Sequence, residues 1–593
     1  MSSLKRLNAY FWKYRWHFSG GIFFITLTNI LAVYAPAVVG EGINEMQAAY
    51  EDNRLEAISA IATRQALLYL GVYLVKGVFS FFTRQTIIVM SRHIEYDLKR
   101  LIYSQYQRLS SAFYKRNETG DLMNRISEDV SRVRMYLGPA VLYSLSLLIM
   151  VVMTVTVMAR IDLELTLWSL APLPFMSVGV YYVSSVIHRR SEQVQAQQSS
   201  LSSMVQQNFS GIRVLIAYAR ESMALARFSD AADQYKTRSL ALVKVEALFI
   251  PLIVMLVGLS TILTIYIGGV KVLDGQLELG HIFQFIFYIN LLTWPFASVG
   301  WVTSLVQKAA ASQERINEFL DIEPEITSDA PPHKIEGRIT FDKVSFTYPE
   351  SGIRALDELS FDLLPGQTLG IVGRTGSGKS TVAQLIARLY DADEGEIRID
   401  GRPIADCNLS SLRSAIGYAP QDVFLFSDTI AGNIAFSSDR PASDDDPQRG
   451  LVEDAARKAA IHDEIEDLEN GYQTLLGERG VNLSGGQRQR IAIARALMGS
   501  PQILLLDDVL SAVDTATEAR ILQAFKEARR GRMAVVISHR ISTVQGADQL
   551  IVLDAGRVVE SGSHVELMAQ GGVYAEMHRL QSIDDSDGQG EEL

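Results

Sequence analysis

The eight residues from Gly373 to Ser380 constrain the fold of this chain more than any other stretch. They read Gly-Arg-Thr-Gly-Ser-Gly-Lys-Ser and match the phosphate-binding pattern G-x-x-x-x-G-K-[ST]. The apolar run Thr368–Val372 before them predicts a strand, and Thr381–Arg388 after them predicts the start of a helix. Strand, loop and helix in this order favour an α/β domain that binds a nucleoside triphosphate over a glycine-rich turn in an unrelated domain.

Each residue type in this loop has a physical role. Glycines let successive backbone N–H groups curl around phosphate oxygens, and the helix N-terminus adds partial positive charge. We expect Lys379 to reach the β- and γ-phosphates and the Ser380 hydroxyl to ligate Mg²⁺. The predicted nucleotide-binding residues here are Gly373, Arg374, Thr375, Gly376, Ser377, Gly378, Lys379, Ser380 and Thr381.

The first half of the chain has a different character. Hydrophobic residues make up 48% of the 593 residues and concentrate before residue 310. Segments near 20 apolar residues are long enough to cross a bilayer. The sequence predicts six such spans, at Phe18–Val39, Ile58–Met90, Leu137–Met158, Leu163–Val186, Ala247–Gly269 and Ile282–Val306.

The charged residues between the spans predict their orientation. Basic residues crowd the N-terminus and the long connections after spans two and four, whereas the first opposite loop is acidic. The positive-inside rule therefore places both termini in the cytoplasm. No secretory signal peptide is expected, because Met1–Trp16 is amphipathic and basic with no short apolar core and cleavage site.

The two long connections are helical in pattern, so spans two to five are expected to continue as helices beyond the membrane. Each connection carries a turn signal, Arg116–Gly120 in the first and Asn208–Gly211 in the second. These turns are either the tips of two helical hairpins that touch a cytoplasmic partner or ordinary loops.

Lys76 and Arg84 are the notable charges inside the second predicted span. Lys76 and Arg84 would either face a polar cavity or a partner, or extend toward the head groups. The last span mixes aromatic and amide side chains. These would either form a pathway for amphipathic molecules or pack within the protein; they are Gln284, Phe285, Phe287, Tyr288, Asn290 and Trp294.

Further candidate residues follow strand-like runs in the second half. Asp507 closes the apolar run from Ile503 and is expected to hold Mg²⁺, although such a carboxylate can also cap a helix. Gln421 follows a short strand and could meet Mg²⁺ or the attacking water, and Tyr348 could stack on the adenine. His539 could contact the γ-phosphate, although a single strand-end histidine is normally structural.

A second anion-binding pattern begins at Leu483. It reads Leu-Ser-Gly-Gly-Gln and precedes the helical run Arg488–Met498. Backbone amides and a serine hydroxyl at a helix start favour an anion. The predicted phosphate contacts are Ser484, Gly485, Gly486 and Gln487.

Charge and cysteine content exclude several classes of function. The formal net charge of −12 argues against a nucleic-acid surface, which needs clustered Lys and Arg. The single cysteine, Cys407, excludes an internal disulfide and a cysteine zinc site, and it has no evident catalytic partner.

Together these motifs resemble the ATP-binding cassette, or ABC, family. Gly373–Ser380, Gln421, Leu483–Gln487, Ile503–Asp507, Ser511–Asp514 and His539 stand in the order of an ABC domain. The six spans with long cytoplasmic extensions are similar to the membrane domain of an ABC exporter half-transporter. The resemblance covers nearly the whole chain and implies a multidomain membrane protein, with an all-α six-helix transmembrane domain followed by an α/β P-loop ATPase domain.

The resemblance implies a dimer with shared ATP sites. Two ATP molecules, with Mg²⁺, would lie between the phosphate loop of one half and Ser484–Gln487 of the other. Asp514 would contact nucleotide, and Glu478 would meet the coupling helices, expected near Lys115–Thr119 and Gln207–Ile212. ATP binding would open the spans outward, and hydrolysis would reset them. The implied location is a bacterial inner (plasma) membrane.

One residue departs from the family pattern. Asp508 follows the Walker B strand, where the family usually has a glutamate as general base. Aspartate is shorter by about 1.5 Å, and a misplaced base forfeits part of the roughly 10²–10⁴-fold of general-base catalysis. The departure resembles the impaired half of heterodimeric exporters and implies a different partner chain with a catalytic Glu. A homodimer in which Asp508 acts through a longer water bridge is the alternative.

The expected organisation has four parts. Residues 1–322 form the transmembrane domain, 323–338 a linker, 339–582 the ATP-binding cassette domain and 583–593 an acidic disordered tail; Ser437–Pro447 is a polar acidic insert. Active export of a drug-like or lipid-like amphipathic molecule leads, ahead of a homodimeric flippase, a regulatory ATP-binding subunit that gates a partner, and a gated channel. A fused chain with no docking domain for a binding protein argues against an importer.

Overall fold

The computed structural model describes residues 3–328, 330–438, 449–477, 480–510, 515–528 and 532–587. The chain divides into two compact units. One contains Met1–Gln107 and Gly120–Ile322, and the other contains Arg108–Thr119 and Glu323–Leu593. The second division point follows Ile322, and the segment 108–119 lies in the second unit. The predicted domain boundaries stay predictions.

The regular structure described in the first unit is helical. A 3₁₀ turn, Ser3–Leu7, precedes α1, and π-helical segments occupy Arg84–Ile88, Arg125–Asp129 and Tyr136–Ala140. The helices up to residue 320 are α1 (Asn8–Lys13), α2 (Arg15–Glu51), α3 (Leu55–Thr83), α4 (Val89–Arg108), α5 (Ser111–Arg116), α6 (Thr119–Asn124), α7 (Val130–Met135), α8 (Val141–Ile161), α9 (Leu163–Leu170), α10 (Pro172–Ser210), α11 (Ile212–Ala217), α12 (Glu221–Glu246), α13 (Phe249–Leu273) and α14 (Leu279–Leu320).

Within the described residues, six continuous helical stretches are long and apolar enough to cross a membrane, and each contains one predicted span. The four middle stretches reach 43 to 54 residues, because helix continues past the apolar part as expected. The six are Arg15–Glu51, Leu55–Arg108, Thr119–Ile161, Leu163–Ser210, Glu221–Leu273 and Leu279–Leu320.

Polar contacts join these helices. Asp162 caps α9 by accepting a hydrogen bond from the Leu165 N–H at 2.7 Å, and the Lys271 ammonium reaches the same carboxylate at 2.7 Å. Buried polar groups in an apolar bundle need partners, because an unpaired one costs free energy. The Asp162–Lys271 pair therefore connects the turn between α8 and α9 with α13.

Some of the aromatic and amide side chains of the last predicted span are buried, and the others are exposed. Gln284 and Tyr288 are buried; the Gln284 amide donates to the Tyr288 hydroxyl at 2.9 Å, which donates to the Val33 carbonyl at 2.9 Å. These two residues therefore pack, as does the buried Phe285. Phe287 and Trp294 are exposed, so the pathway interpretation concerns only them and the exposed Asn290.

The two predicted hairpin tips differ. In the first, α5 ends at Arg116 and the extended backbone of Asn117 stops the helix. Its apolar face is Ala112 and Phe113, so the packed segment lies a few residues before the predicted Lys115–Thr119. In the second, α10 ends at Ser210, just before Gly211. Docking of the second tip stays a prediction.

Two sheets organise the second unit. One has four strands in the order β2-β1-β4-β5, and the other has six in the order β10-β9-β3-β8-β7-β6. Strands β6, β7, β8, β3 and β9 are parallel, which confirms the alternation of strands and helices expected there. The strands are β1 (Ile339–Thr347), β2 (Arg354–Leu363), β3 (Thr368–Gly373), β4 (Glu394–Ile399), β5 (Arg402–Pro403), β6 (Ile416–Ala419), β7 (Ile503–Asp507), β8 (Met533–Ile537), β9 (Gln549–Asp554) and β10 (Arg557–Gly562).

Helices cover both faces of the parallel sheet. They are α15 (Lys379–Ile386), α16 (Leu409–Ser414), α17 (Ile430–Ile434), α18 (Arg449–Lys458), α19 (His462–Glu466), α20 (Gly485–Leu497), α21 (Thr515–Ala528), α22 (Ile541–Val544), α23 (His564–Gln570) and α24 (Val573–Asp587). Side chains of β7 alternate between two cores: Leu504 and Leu506 enter one, and Ile503 and Leu505 enter the other. This double burial explains the unbroken apolar run that ends at Asp507.

Candidate nucleotide-binding and catalytic site

The phosphate loop begins where β3 ends and closes at the first residue of α15. Gly376 and Gly378 have φ values of +82° and +96°. Only glycine adopts these values without strain, so the sequence pattern specifies the backbone shape here. Ser377 is buried, and its hydroxyl has no hydrogen-bond partner among the described residues.

Lys379 is drawn into the curve of this loop. Its ammonium donates to the carbonyl oxygens of Gly373 and Arg374 at 2.9 and 2.8 Å. Burial lowers the pKa of Lys379, and the charges of Asp508 and Asp507 oppose that shift. The cation is thus held among neutral acceptors, where an arriving phosphate gains a strong charge-assisted contact.

The predicted metal ligands Ser380 and Asp507 lie side by side. The Ser380 hydroxyl donates to Asp507 Oδ1 at 2.8 Å, joining the start of α15 to the end of β7. Burial raises the pKa of Asp507; the Asp508 charge adds to this shift, whereas the Ser380 hydrogen bond counteracts it. A hydroxyl beside a buried carboxylate is an oxygen pair suited to Mg²⁺.

Asp508 turns back toward the neighbouring strand. It has a φ of +49° and its backbone N–H donates to the Ile537 carbonyl at 2.9 Å. Its Oδ1 accepts from the His539 N–H at 3.4 Å, so the predicted base and histidine are adjacent. Burial lowers the pKa of His539, and the nearby Lys379 adds to this effect. Both effects favour the neutral imidazole of His539.

Tyr348 follows β1 and faces the first turns of α15. Its hydroxyl lies 2.9 Å from Thr381 Oγ1 and donates to Gln384 Oε1 at 3.2 Å. Its ring packs edge-on against Phe346 and Tyr390. These contacts fix the ring next to the phosphate loop, where the sequence places the adenine.

The second anion-binding pattern forms a helix start. The Gln487 N–H donates to the Ser484 hydroxyl at 3.2 Å, and the Ser484 N–H donates to Gln487 Oε1 at 2.9 Å. This capping box opens α20. The Gln487 amide also donates to Glu464 at 3.0 Å, a carboxylate that receives Arg490 at 2.6 Å as well.

Gln421 lies in the loop that follows β6. It lines a cavity of about 500 Å³ together with Gly485 and Arg488. In the part of the chain that the structure describes, no hydrogen bond joins Gln421 to Ser380 or Asp507, nor Ser484–Gln487 to the phosphate loop. One chain thus assembles its loop, lysine, serine and aspartates, but not the second anion-binding element, around one point.

Some predicted features lie outside the described residues. These are Asp514 with Ser511–Val513, Glu478, most of the acidic insert Ser437–Pro447, and the end of the acidic tail. Their roles stay predictions.

Sequence reasoning missed the partners of the first hairpin tip. The ammonium of Lys115 lies 5.0 Å from the ring centroid of Tyr348 and 5.3 Å from that of Tyr390. Glu325 accepts a hydrogen bond from Ser110 at 2.7 Å and pairs with Arg116. These residues are far apart in sequence, and no motif connects them, so only a contact map could reveal the cluster.

The residues present fit a nucleotide with its metal. The turn at Gly376–Gly378, the unpartnered Ser377 hydroxyl and the buried Lys379 ammonium suit phosphate oxygens. Ser380 and Asp507 supply the oxygen pair for the cation. The described residues contain no cluster of three or more His, Cys, Asp or Glu that could hold a metal by itself. Such a cation would take its remaining ligands from phosphate and water.

Comparison with known proteins extends this picture. Residues 18–296 match the family model for the ABC transporter transmembrane region, and residues 356–511 match the model for the ABC transporter. A probable multidrug resistance ABC transporter ATP-binding/permease protein, YheI of Bacillus subtilis, is 34% identical, covering 98% of both chains. An ATP-dependent lipid A-core flippase of Vibrio vulnificus is 33% identical, covering 87% of this chain and 88% of its own. The structure of a bacterial Atm1-family ABC exporter with ATP bound superposes with a TM-score of 0.77 at 27% identity, covering 96% of this chain and 99% of the other.

Proposed function

The chain belongs to the ABC transporter family, as an exporter half-transporter with its transmembrane region and ATP-binding domain on one polypeptide, and we propose that it exports amphipathic molecules as one half of a heterodimer. It is an integral membrane protein and an ATPase coupled to transport. The proposed location is a bacterial inner membrane, with both termini and the ATPase domain in the cytoplasm.

One observation carries the ATPase part of the proposal. Ser380 and Asp507 meet at 2.8 Å beside the buried Lys379, although more than a hundred residues separate the two partners. When bound, Mg²⁺ neutralises charge on the phosphates. Lys379 would bind the phosphate oxygens, and Ser380 and Asp507 would hold the cation. His539 would hold a hydrogen bond at the γ-phosphate position.

The substrate class follows from the relatives and from the membrane helices. One relative is named for multidrug resistance and another is named a lipid A-core flippase. The exposed Phe287 and Trp294 of the last helix supply an apolar surface for such a substrate. Accumulation in inverted vesicles tests this function: a fluorescent lipid or dye should enter only with ATP. A complex that conducts without ATP would instead be a channel.

Asp508 supports the heterodimer. Its carboxylate is buried at 8% exposure and bound to the His539 N–H, and it is a methylene shorter than glutamate. A general base must reach the proton it removes within about 3 Å, directly or through one water. The proposed partner supplies the catalytic Glu, while this chain supplies Ser484–Gln487 to the partner's site.

The intact mass of the complex, purified from its native membrane through a tag on this chain, tests the assembly. A second, different half-transporter in equal amount supports the proposal. Twice the mass of this chain supports a homodimer in which Asp508 serves both sites. The buried Asp508 carboxylate also favours a second function, in which this chain is a regulatory subunit whose slow ATP site gates its partner. In both functions, ATP-driven accumulation continues without hydrolysis at the Asp508 site. Only in the regulatory function would blocking ATP binding to this chain abolish transport and leave the partner's hydrolysis unchanged.

A further inference from the structure

We propose that a cavity inside the first unit binds the anionic head group, such as a phosphate, of an amphipathic molecule, with Arg84 as the cation that receives it. The inference rests on the proposed export of amphipathic molecules and names the chemical class that this chain prefers. It concerns only residues of α2, of the helix that runs through Arg84, and of α8 with the π-helical segment just before it.

The cavity has a volume of about 390 Å³. Apolar and hydroxyl-bearing side chains line the cavity together with one arginine, whose side chain is exposed, and the described lining contains no acidic residue. The lining residues are Ile25, Thr28, Ser80, Thr83, Arg84, Ile88, Pro139, Leu142, Tyr143 and Ser146. Its size suits a head group and the first part of an alkyl chain, rather than a whole lipid.

Arg84 differs from other cations of the same unit. Lys271 pairs with Asp162 and Glu164, and Arg315 pairs with the buried Asp129. Within the described residues, the guanidinium of Arg84 has neither an ion pair nor a hydrogen bond, although its backbone N–H is bonded within the helix. A cation within a membrane-spanning helix costs several kcal/mol unless it pairs or faces a polar cavity. An anionic ligand would supply the missing charge.

The walls of the cavity supply polar and apolar contacts. Ser80 and Tyr143 carry hydroxyl groups and line the same cavity as Arg84, and Ser146 Oγ lies 3.3 Å from the Asn29 side chain. Guanidinium and hydroxyl donors together match the acceptor oxygens of a phosphate. Ile25 and Leu142 form apolar wall, which suits the alkyl part of an amphipathic molecule.

Two π-helical segments border the cavity. Arg84–Ile88 contributes both of its end residues to the lining, and Tyr136–Ala140 contributes Pro139. A π turn is wider than an α turn and is rare; single turns of this kind are frequent at functional sites. Two helices therefore depart from regular geometry at the same cavity, independently of its charge.

The position along the helix fits a head group. The 29-residue helix Leu55–Thr83 precedes Arg84 and is about 44 Å long, whereas the hydrocarbon core is about 30 Å thick. On the proposed topology, Arg84 therefore lies toward the cytoplasmic interface, where lipid phosphates are concentrated.

Equilibrium binding to the full complex in phosphatidylcholine nanodiscs, without ATP, tests the inference. Dodecyl phosphate should bind at least about tenfold more tightly than dodecyl maltoside, and Arg84→Gln should remove this preference. Arg84→Lys should restore part of it. Arg160→Gln removes the same charge from the end of α8, outside the cavity, and should bind like the wild type.

Three outcomes would overturn the inference. Arg84→Gln could keep the full preference for dodecyl phosphate, or Arg160→Gln could lose it equally. Inorganic phosphate could displace dodecyl phosphate at equal concentration, which would indicate a site for free phosphate. If Arg84→Gln fails to fold, Leu142→Trp provides the test, because its larger side chain fills the apolar part of the cavity. Leu142→Trp should weaken the binding of dodecyl phosphate, and unchanged binding would count against the site. Binding is measured without transport, so a failure of vesicle accumulation is a separate result.

Discussion

The ammonium of Lys115 lies 5.0 Å from the ring centroid of Tyr348, and this contact connects the first helical hairpin tip with the aromatic residue predicted to stack on adenine. Tyr348 is in turn hydrogen-bonded to Thr381, in the first turn of α15. The buried Ala112, on the same short helix as Lys115, enters the core that contains β1 and β3. A change at the predicted adenine position can thus reach α5 through the side chain of Tyr348.

Lys115→Met should loosen the segment 108–119. Loss of an exposed cation–π contact of about 0.5–1 kcal/mol predicts roughly two- to fivefold faster amide exchange there. Hydrogen exchange of the full complex measures this effect. Lys115→Arg retains the cation and should exchange like the wild type. Equal protection in the wild type and Lys115→Met would show that the contact does not hold the helix.

Ser380→Ala should weaken the apparent affinity for Mg²⁺ in ATP hydrolysis by roughly 10–100-fold, because Ser380 both holds Asp507 and is the expected metal ligand. Binding of ATP without Mg²⁺ should change little, since the loop backbone and Lys379 remain. A magnesium titration of ATPase activity gives the result. Ser414→Ala, an exposed serine on α16, is the matched control. If both variants respond alike, the Ser380–Asp507 pair is not the metal site.

Asp508→Ala should change the turnover of the complex little, whereas replacing the partner's catalytic Glu should nearly abolish it. The reason is that the Asp508 carboxylate is short and bound to the His539 N–H. Asp508→Glu restores the reach of a general base, and we expect it to raise hydrolysis at this site. Single-turnover ATPase measurements separate the two sites. Similar losses in both single variants would contradict the asymmetry.

Acid should release the first hairpin tip. The hydrogen bond from Ser110, followed by the charge of Arg116, holds the pKa of Glu325 below its usual range. A carboxylate with a lowered folded pKa stabilises the fold above its unfolded pKa, near 4.3, and loses that contribution as pH falls through the folded value. Exchange of residues 108–119, corrected for intrinsic rates, should therefore rise below about pH 4. Glu325→Gln should show the faster exchange already at pH 7. Glu323→Gln, which removes a nearby carboxylate, serves as the control. An exchange profile of Glu325→Gln like that of the wild type would refute the assignment.

Much of the candidate site was predictable because its residues belong to short continuous motifs. Gly376 and Gly378 predict the positive φ values that the loop needs, and the apolar run Ile503–Leu506 predicts a strand that is buried on both faces. Ser484 and Gln487 have the spacing of a capping box, which α20 begins with. Each of these features depends on backbone geometry within a few residues.

Other features depend on residues distant in sequence. The packed segment α5 begins a few residues before the predicted coupling segment near Lys115–Thr119. The reason is that Ala112 packs against the core around β1, which only the tertiary structure forms. Arg84 was equally compatible with snorkelling and with a cavity until α2 and α8 supplied the other walls.

The sequence by itself determined the family, the six membrane-spanning helices and the nucleotide loop, because periodicity, apolar length and glycine placement act locally along the chain. Only the tertiary structure decided which side chains meet: Ser380 with Asp507, Asp508 with the His539 N–H, and Lys115 with Tyr348. The first two pairs arise because parallel strands end at a common edge of one sheet, and the third arises because a short helix packs beside the residue that follows β1 of the other sheet. No pattern of neighbouring residues encodes either event.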